Sequence, residues 1–338
     1  MPTLSKLRYF KYLTFKRIVN FLINYFSYLL SNILKKPILW GIPPFVSFEP
    51  VNFCNLSCPE CITGSNKIAR DKMEAKFEMF ENLIKTNYQK ISHILLYFQG
   101  EPFLHPKIYD MIALCKKHRI YSASSTNGHF LSPKNCIKII ENGLDELIIS
   151  IDGADQNIYE KYRKGGNLTL VINGLRNLVE AKKKLNKKNP YIIIQFIVFK
   201  HNEHQIEQMN DFYKISGADE IQFKSAQIDV PNKNFDQISS IPQYARYKKD
   251  ASGNFHIKSK LPNHCLRLWN TMVILNNGDM VACCFDKNGK YRFGNIEQKS
   301  IKEIIHSIEF QFFRKFILLN RKKESMCCNC SEGLQQSY

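Results

Sequence analysis

Three cysteines fall within eight residues, in the run Cys54-Asn-Leu-Ser-Cys58-Pro-Glu-Cys61. A thiolate trio at this spacing can wrap one face of a metal centre. A structural zinc closes with a fourth ligand, but the nearest histidines in sequence are His93 and His105. On a cubic 4Fe–4S cluster, three thiolates leave one iron open, and an open position means chemistry rather than scaffolding. A second group is split: Cys265, then Cys283-Cys284, then Cys327-Cys328-Asn329-Cys330. Four ligands can be drawn from it, Cys265, Cys283, Cys327 and Cys330, with Cys284 and Cys328 as adjacent alternatives. Four thiolates close a site, and zinc and a fully ligated iron–sulfur cluster both fit that count. The chain has 11 cysteines in all. An odd number in tight groups, in a chain too large to need staples, favours metal in a reducing cytosol over disulfides. Cys115 and Cys136 stand alone in helix-like stretches and read as small buried hydrophobes.

Such ligand loops need a scaffold. From Phe45 onward, short β-branched runs alternate with longer helical periods. The strands are expected at Phe45–Glu49, His93–Phe98, Tyr121–Ser125, Glu146–Ile151, Tyr191–Phe199 and Glu220–Lys224. The helices are expected near 74–89, 106–118, 133–142, 155–163, 168–185 and 203–216. Alternation of this kind predicts a parallel sheet with right-handed crossovers. Six such units make a partial (β/α)6 TIM-like barrel, an α/β fold whose chemistry belongs at the C-terminal ends of the strands. The motifs obey that rule. The Cys54 loop follows strand one, Gln99-Gly100-Glu101-Pro102 strand two and Thr126-Asn127-Gly128 strand three. Ser150-Ile-Asp152-Gly153 closes strand four, and Lys200-His201-Asn202 follows strand five. Residues 226–260 show no sustained period and read as a linker or bridging region. Residues 261–338 read as a small cysteine-rich α+β extension. Within it a hairpin turns at Asn276-Asn277-Gly278-Asp279, and a helix spans about 300–319.

Residues 1–44 differ from the remainder. No acidic residue precedes Glu49, whereas Lys6, Arg8, Lys11, Lys16, Arg17, Lys35 and Lys36 do. A helical pattern from about 6 to 34 sets Lys16, Asn20, Asn24, Ser27 and Ser31 in one polar stripe. Phe10, Phe15, Phe21, Phe26 and Leu29 are among the apolar remainder. A basic amphipathic helix of this type suits a membrane interface. It equally suits packing against the domain or a second chain. Peripheral membrane contact is therefore expected through residues 1–36. No run of ~18 apolar residues predicts a spanning helix, and no cleavable signal is visible. A cytoplasmic location, with membrane association through the N-terminal helix, is the expectation.

The whole chain carries 48 Lys and Arg against 30 Asp and Glu, a formal charge of +18. Only 11 of those cations are arginine, and arginine does most base and phosphate forking. No nucleic-acid motif accompanies the charge. The expectation is a solvated lysine-rich surface and no nucleic-acid partner.

At Cys54–Cys61 the sequence resembles the radical S-adenosylmethionine (SAM) superfamily, whose signature is CX3CX2C. The pattern Cys265-X12-Gly278-X4-Cys283, followed by Cys327-X2-Cys330, resembles the SPASM/twitch extension, which holds auxiliary iron–sulfur clusters. Together these motifs cover about residues 45–332. Two positions depart from the family: Glu60 replaces the common aromatic before the third cysteine, and Gln99 replaces the first glycine of Gly-Gly-Glu-Pro. The resemblance implies a 4Fe–4S cluster on Cys54, Cys58 and Cys61, and one further cluster on Cys265, Cys283, Cys327 and Cys330. It implies that SAM chelates the open iron and is split reductively to a 5′-deoxyadenosyl radical, which takes a hydrogen from substrate.

The same resemblance assigns roles by position. Gly100 and Glu101 would meet the methionine amino group. Ser150 and Asp152 would bind the ribose hydroxyls, and Asn127 and Asn202 would read ribose or adenine edges. Arg163 would fork to the methionine carboxylate; the alternative is a surface helix-end arginine. Asp286, beside the second cysteine group, is a candidate acid–base residue. The partners implied are an external electron donor such as flavodoxin or ferredoxin, and a peptide or sugar-like metabolite undergoing net oxidation or modification. The competing class is a non-catalytic protein using zinc or iron–sulfur as structure.

Overall fold

The computed structural model describes residues 8–228 and 236–330. Lys6, part of the bridging region and the last eight residues lie outside them. In chain order the elements are α1 (Phe15–Leu34), β1 (Phe45–Phe48), α2 (Phe77–Asn87), β2 (His93–Leu95), α3 (Ile108–Lys117), β3 (Tyr121–Thr126), α4 (Pro133–Asn142), β4 (Glu146–Ser150), α5 (Gln156–Tyr162), α6 (Leu168–Lys184) and β5 (Tyr191–Val198). They continue as α7 (Ile206–Ser216), β6 (Glu220–Ser225), β7 (Tyr247–Lys249), β8 (Phe255–Ile257), α8 (Arg267–Asn270), β9 (Thr271–Ile274), β10 (Asp279–Val281), β11 (Arg292–Asn295), α9 (Ile301–Ile305) and α10 (Ile308–Asn320). All six expected strands and all six expected helices form, giving a mixed α/β fold with a parallel sheet.

The chain divides into two compact units that cut across its order. One comprises residues 1–52, 69–124 and 262–327; the other comprises 53–68, 125–261 and 328–338. In the first unit β1 pairs in parallel with β2 on one side, Phe45 opposite His93. On its other side it pairs in parallel with β9, Phe45 opposite Thr271. β10 then pairs antiparallel with β9, and β11 with β10. The hairpin expected within a separate C-terminal extension is thus welded to the first barrel strand. The reason is that β9 is buried at Met272, Val273 and Ile274, and an apolar strand must be covered as well as hydrogen-bonded.

In the second unit β4, β5 and β6 form a parallel ladder. The run Ile192-Ile193-Ile194 in β5 is buried, as are Leu147 and Ile149 in β4. α4 starts where Ser132 caps the Asn135 N–H with Pro133 in the first turn, and it stops at Gly143 in the left-handed conformation. α6 buries Leu168, Val171, Leu175 and Leu178 at helical spacing. The bridging region, expected to lack periodic structure, contains the antiparallel pair β7–β8. Asp250 makes the turn by accepting from the Ser252 and Asn254 N–H groups, while Tyr247, Phe255 and Ile257 bury the strands. Two short strands leave too few repeats for a period to show.

Tyr9–Tyr12 form a separate 3-10 turn. α1 forms over Phe15–Leu34, capped by Thr14, and so covers only the later part of the span from about 6 to 34 that the pattern predicts. Its orientation is the reverse of an ordinary surface helix. Arg17, Asn20, Asn24, Ser27 and Ser31 are buried, whereas Phe15, Leu22, Phe26 and Ile33 face outward. The buried stripe is satisfied by backbone. Asn20 accepts from the Ile42 N–H and donates to its carbonyl, to which Asn24 also donates. Ser31 bridges the backbone of Ile38, and Ser27 accepts from Trp40. Arg17 donates to the carbonyls of Tyr12, Tyr88, His118 and Arg119. Gly41 is required here, because a Cβ would sit 2.8 Å from the Asn24 amide. Cys115 and Cys136 are fully buried as expected, and burial pushes the Cys136 thiol up to about 12.

Candidate metal-cluster site

The cysteine loop of residues 53–68 lies in the second unit. Its turns are tight. The Cys61 N–H donates to the Cys58 carbonyl, and the Leu56 N–H reaches the Cys54 sulfur at 3.4 Å. A Cβ at Gly64 would lie 2.6 Å from the Cys58 nitrogen, so only glycine lets the loop close over this cysteine. The Ser57 N–H donates to the Lys164 carbonyl, which ties the loop to the chain just after α5.

The end of α5 supplies the other wall. Tyr159 and Tyr162 are buried. Arg163 Nε sits 2.5 Å from Asp152 Oδ2, and its guanidinium lies 5.1 Å from the Tyr162 ring centre. Burial pushes the Cys58 thiol up, the Arg163 charge pulls it down, and Cys61 and Asp152 push it up again. Cys58 and Cys54 act on Tyr159 in the same way, and Cys58 and Cys61 on Tyr162. Each of the three thiols therefore lies within electrostatic reach of Tyr159 or Tyr162. A buried thiol beside further thiols resists ionisation, and a cationic iron centre relieves that cost. The Tyr159 hydroxyl is buried without a hydrogen-bond partner among the described residues. Three neighbouring thiols are a donor set whose chemistry fits an iron–sulfur cluster.

The remaining expected site residues separate into groups. Asn127 is beside the loop: its amide nitrogen is 3.6 Å from the Cys54 sulfur and 2.7 Å from Asn55 Oδ1. Ser150 ends β4 at 7% exposure. At Asp152, Oδ1 accepts from the Ile197 N–H and Oδ2 from Arg163. Arg163 Nε is correspondingly engaged by Asp152, so it is not a surface helix-end arginine. Asn202 is fully buried. Its oxygen accepts from the Phe199 N–H, and its nitrogen donates to the Asp152 and Ile197 carbonyls. Both ends of the side chain are used by backbone, so it braces Asp152 rather than reading a nucleoside. Gly100, with φ of +75°, and Glu101 belong to the first unit, where Glu101 caps the following turn at Phe103. Tyr159 and Tyr162 were not singled out by sequence; their signal is an i, i+3 aromatic pair directly before Arg163.

In the first unit, Cys265, Cys283, Cys284 and Cys327 lie within electrostatic reach of one another. Burial raises the Cys283 thiol strongly, and Cys284, Cys265 and Cys327 each add to that rise. Cys283 accepts from the Phe285 N–H, whereas Cys284 takes the Arg267 guanidinium at 2.9 Å. Cys327 is buried and Cys328 exposed, which favours Cys327 as the ligand; Cys330, in the second unit, is also buried. Asp286 accepts from the Lys290 and Tyr291 N–H groups and is buried at 4% exposure. It holds a loop together.

The same unit contains a cavity of about 450 Å³ whose lining includes Ser47, His93, Gln99, Arg267, Cys283 and Cys284. Burial pulls His93 down to about 4, and its Nε2 has no hydrogen-bond partner among the described residues. Near the end of β1, Glu49 is clamped by both terminal nitrogens of Arg70 at 2.6 and 2.7 Å. It also accepts from the Asn276 N–H. This buried bridge locks the β9–β10 turn to the first strand.

Comparison with known proteins places these features. The family model of the radical SAM superfamily matches residues 48–213, and that of the SPASM iron–sulfur cluster-binding domain matches residues 265–331. The tungsten-containing aldehyde ferredoxin oxidoreductase cofactor-modifying protein of Pyrococcus furiosus is 24% identical over 315 residues, 85% of this chain and 87% of that protein. The mycofactocin maturase MftC of Mycobacterium ulcerans is 25% identical over 170 residues, half of this chain and 43% of MftC. Among solved structures, Streptococcus suis SuiB bound to S-adenosylmethionine has a TM-score of 0.62 at 16% identity, covering 87% of this chain and 73% of SuiB. SuiB has also been solved bound to its precursor peptide SuiA, with a TM-score of 0.61 at 15% identity, covering 86% of this chain and 70% of SuiB. With the cysteine triad inside the radical SAM match and the later cysteines inside the SPASM match, this chain belongs to the radical SAM superfamily and is an enzyme of its SPASM-bearing branch.

Proposed function

We propose that this enzyme oxidises or otherwise modifies a peptide, with an external flavodoxin or ferredoxin supplying electrons. The observation that carries the reading is that Cys54, Cys58 and Cys61 each lie within electrostatic reach of Tyr159 or Tyr162, with Arg163 acting on Cys58. Cys54, Cys58 and Cys61 hold the catalytic cluster; Cys265, Cys283, Cys327 and Cys330 hold the auxiliary one. When bound, the first cluster and SAM supply reductive C–S cleavage and a hydrogen-abstracting radical. Gly100 and Glu101 receive the methionine amino group, Ser150 meets the ribose, and Asn127 steadies the loop beside Cys54. The Asp152–Arg163 pair acts from behind. It keeps a positive charge next to Cys58 without offering Asp152 to solvent. Tyr159 and Tyr162 exclude water from that side.

The first unit's cavity is the substrate site in this reading. Its lining sets Phe45, Val46, Leu95 and Val273 beside the polar Ser47, His93, Gln99, Arg267 and Thr271. A volume of about 450 Å³ is within the range that holds one side chain or a small metabolite. The SuiB–SuiA complex and the name of MftC as a maturase support a peptide or precursor, while the name of the Pyrococcus protein supports modification of a cofactor.

The test is anaerobic. Reconstituted protein, SAM and dithionite should yield 5′-deoxyadenosine, and Cys58→Ala should yield none. Cys327→Ala with Cys330→Ala should keep that cleavage while product from a candidate peptide falls. Absence of 5′-deoxyadenosine from protein that has bound iron and sulfide overturns the proposal.

A further inference from the structure

α1 exposes an apolar face that its own unit leaves uncovered. Among the described residues, 18 large hydrophobic side chains are exposed, and 12 of them fall between Phe10 and Trp40. Phe15 is 81% exposed, Ile33 75%, Trp40 62% and Phe26 61%. The helix cannot roll to hide this face. Rolling would strip Ile38, Trp40 and Ile42 of the hydrogen bonds from Asn20, Asn24, Ser27 and Ser31, and buried backbone groups do not tolerate that loss. We infer that this face seats in the interface of an anionic lipid bilayer, laying α1 along the membrane surface.

Three further observations select that occupant. The exposed set mixes aromatic rings with aliphatic chains, including Trp40 and Tyr25, the composition that partitions to the headgroup boundary. Lys11, Lys16, Lys35 and Lys36 are exposed around the patch, and no acidic residue precedes Glu49. A cationic rim complements anionic headgroups, whereas two copies of the same face would repel one another. Finally, no helix among the described residues is long and apolar enough to cross a membrane. Contact along the surface is the mode left to α1.

The full chain is mixed with vesicles of phosphatidylcholine plus phosphatidylglycerol, and separately with phosphatidylcholine alone, then sedimented at low and high salt. Preference for the anionic vesicles should be about tenfold or more at low salt and shrink at high salt. Trp269 is fully buried while Trp40 is exposed, and these are the two tryptophans. A blue shift in wild-type fluorescence on adding anionic vesicles therefore reports Trp40 entering the interface, without any substitution. The combined variant Phe15→Ser, Phe26→Ser and Ile33→Ser should lose vesicle binding while keeping its thermal midpoint and SAM cleavage. Wild-type protein that stays in the supernatant with no fluorescence shift overturns the inference. So does a dimer in sedimentation velocity that the variant dissociates while neither form binds vesicles, since the face would then join two copies.

Discussion

Arg163 Nε approaches Asp152 Oδ2 to 2.5 Å, and the Asp152 side chain is fully buried while that of Arg163 is 13% exposed. This pair joins the strand-end motif Ser150-Ile-Asp152-Gly153 to the last turn of α5 and sets a guanidinium beside Cys58. It is a positioning device, because Asp152 also holds the Ile197 N–H and is braced through its carbonyl by Asn202. Gly153 makes the approach feasible, as a Cβ there would lie 2.5 Å from the Tyr159 nitrogen.

Replacing Arg163 with Met should leave the buried Asp152 unpaired and cost about 3–5 kcal/mol of stability, read as a shift of the urea midpoint. Arg163→Lys should recover part of it. An unchanged midpoint for Arg163→Met would show that Asp152 finds another partner.

Glu49 and Arg70 form a bidentate bridge at the end of β1. Either single variant, Glu49→Leu or Arg70→Met, should destabilise by about 3–5 kcal/mol. The double variant Glu49→Leu with Arg70→Met should lose less than the sum, because no buried charge is stranded. A double-mutant cycle of unfolding free energies decides it, and strict additivity would refute the coupling.

The buried stripe of α1 makes its own prediction. Asn20→Ala leaves the Ile42 N–H without its acceptor and should cost about 1–3 kcal/mol. Phe26→Ser, on the exposed face, should cost less than about 0.5 kcal/mol. The reverse order in thermal melts would mean that α1 buries its apolar face.

His93 gives a pH dependence. Burial lowers its folded value to about 4, from roughly 6.5 in an unfolded chain. The folded state therefore binds fewer protons. Its stability is fully present above about pH 6.5 and falls as the pH drops toward 4, by about 3 kcal/mol in total. The difference in thermal midpoint between wild type and His93→Phe, followed from pH 7 to pH 5, should shift steadily in favour of the variant. A constant difference would place His93 in water.

The adjacent cysteines can be separated by iron content. Cys284 is engaged by Arg267 and Cys283 by the backbone of its own turn. Cys284→Ala should keep the full iron content, while Cys283→Ala should lose roughly half, since two clusters share it. Equal losses from both variants would overturn the assignment.

The cysteine spacing and the strand–helix alternation carried the family, the cofactors and the order of the barrel elements, because ligand spacing and hydrophobic periodicity are local properties of a chain. The placement of Asn127, beside Cys54, was legible for the same reason: the motif ends a strand whose position was readable. Pairings between distant segments were not. Nothing in Asp152, Arg163 or Asn202 reveals that the three brace one another, since each has an equally good solvent-facing reading until the strands assemble around it. The direction of α1 was hidden too. A helical wheel shows two faces but does not say which one turns inward, and here the backbone of Ile38, Trp40 and Ile42, needing partners in a dry place, drew the polar face in.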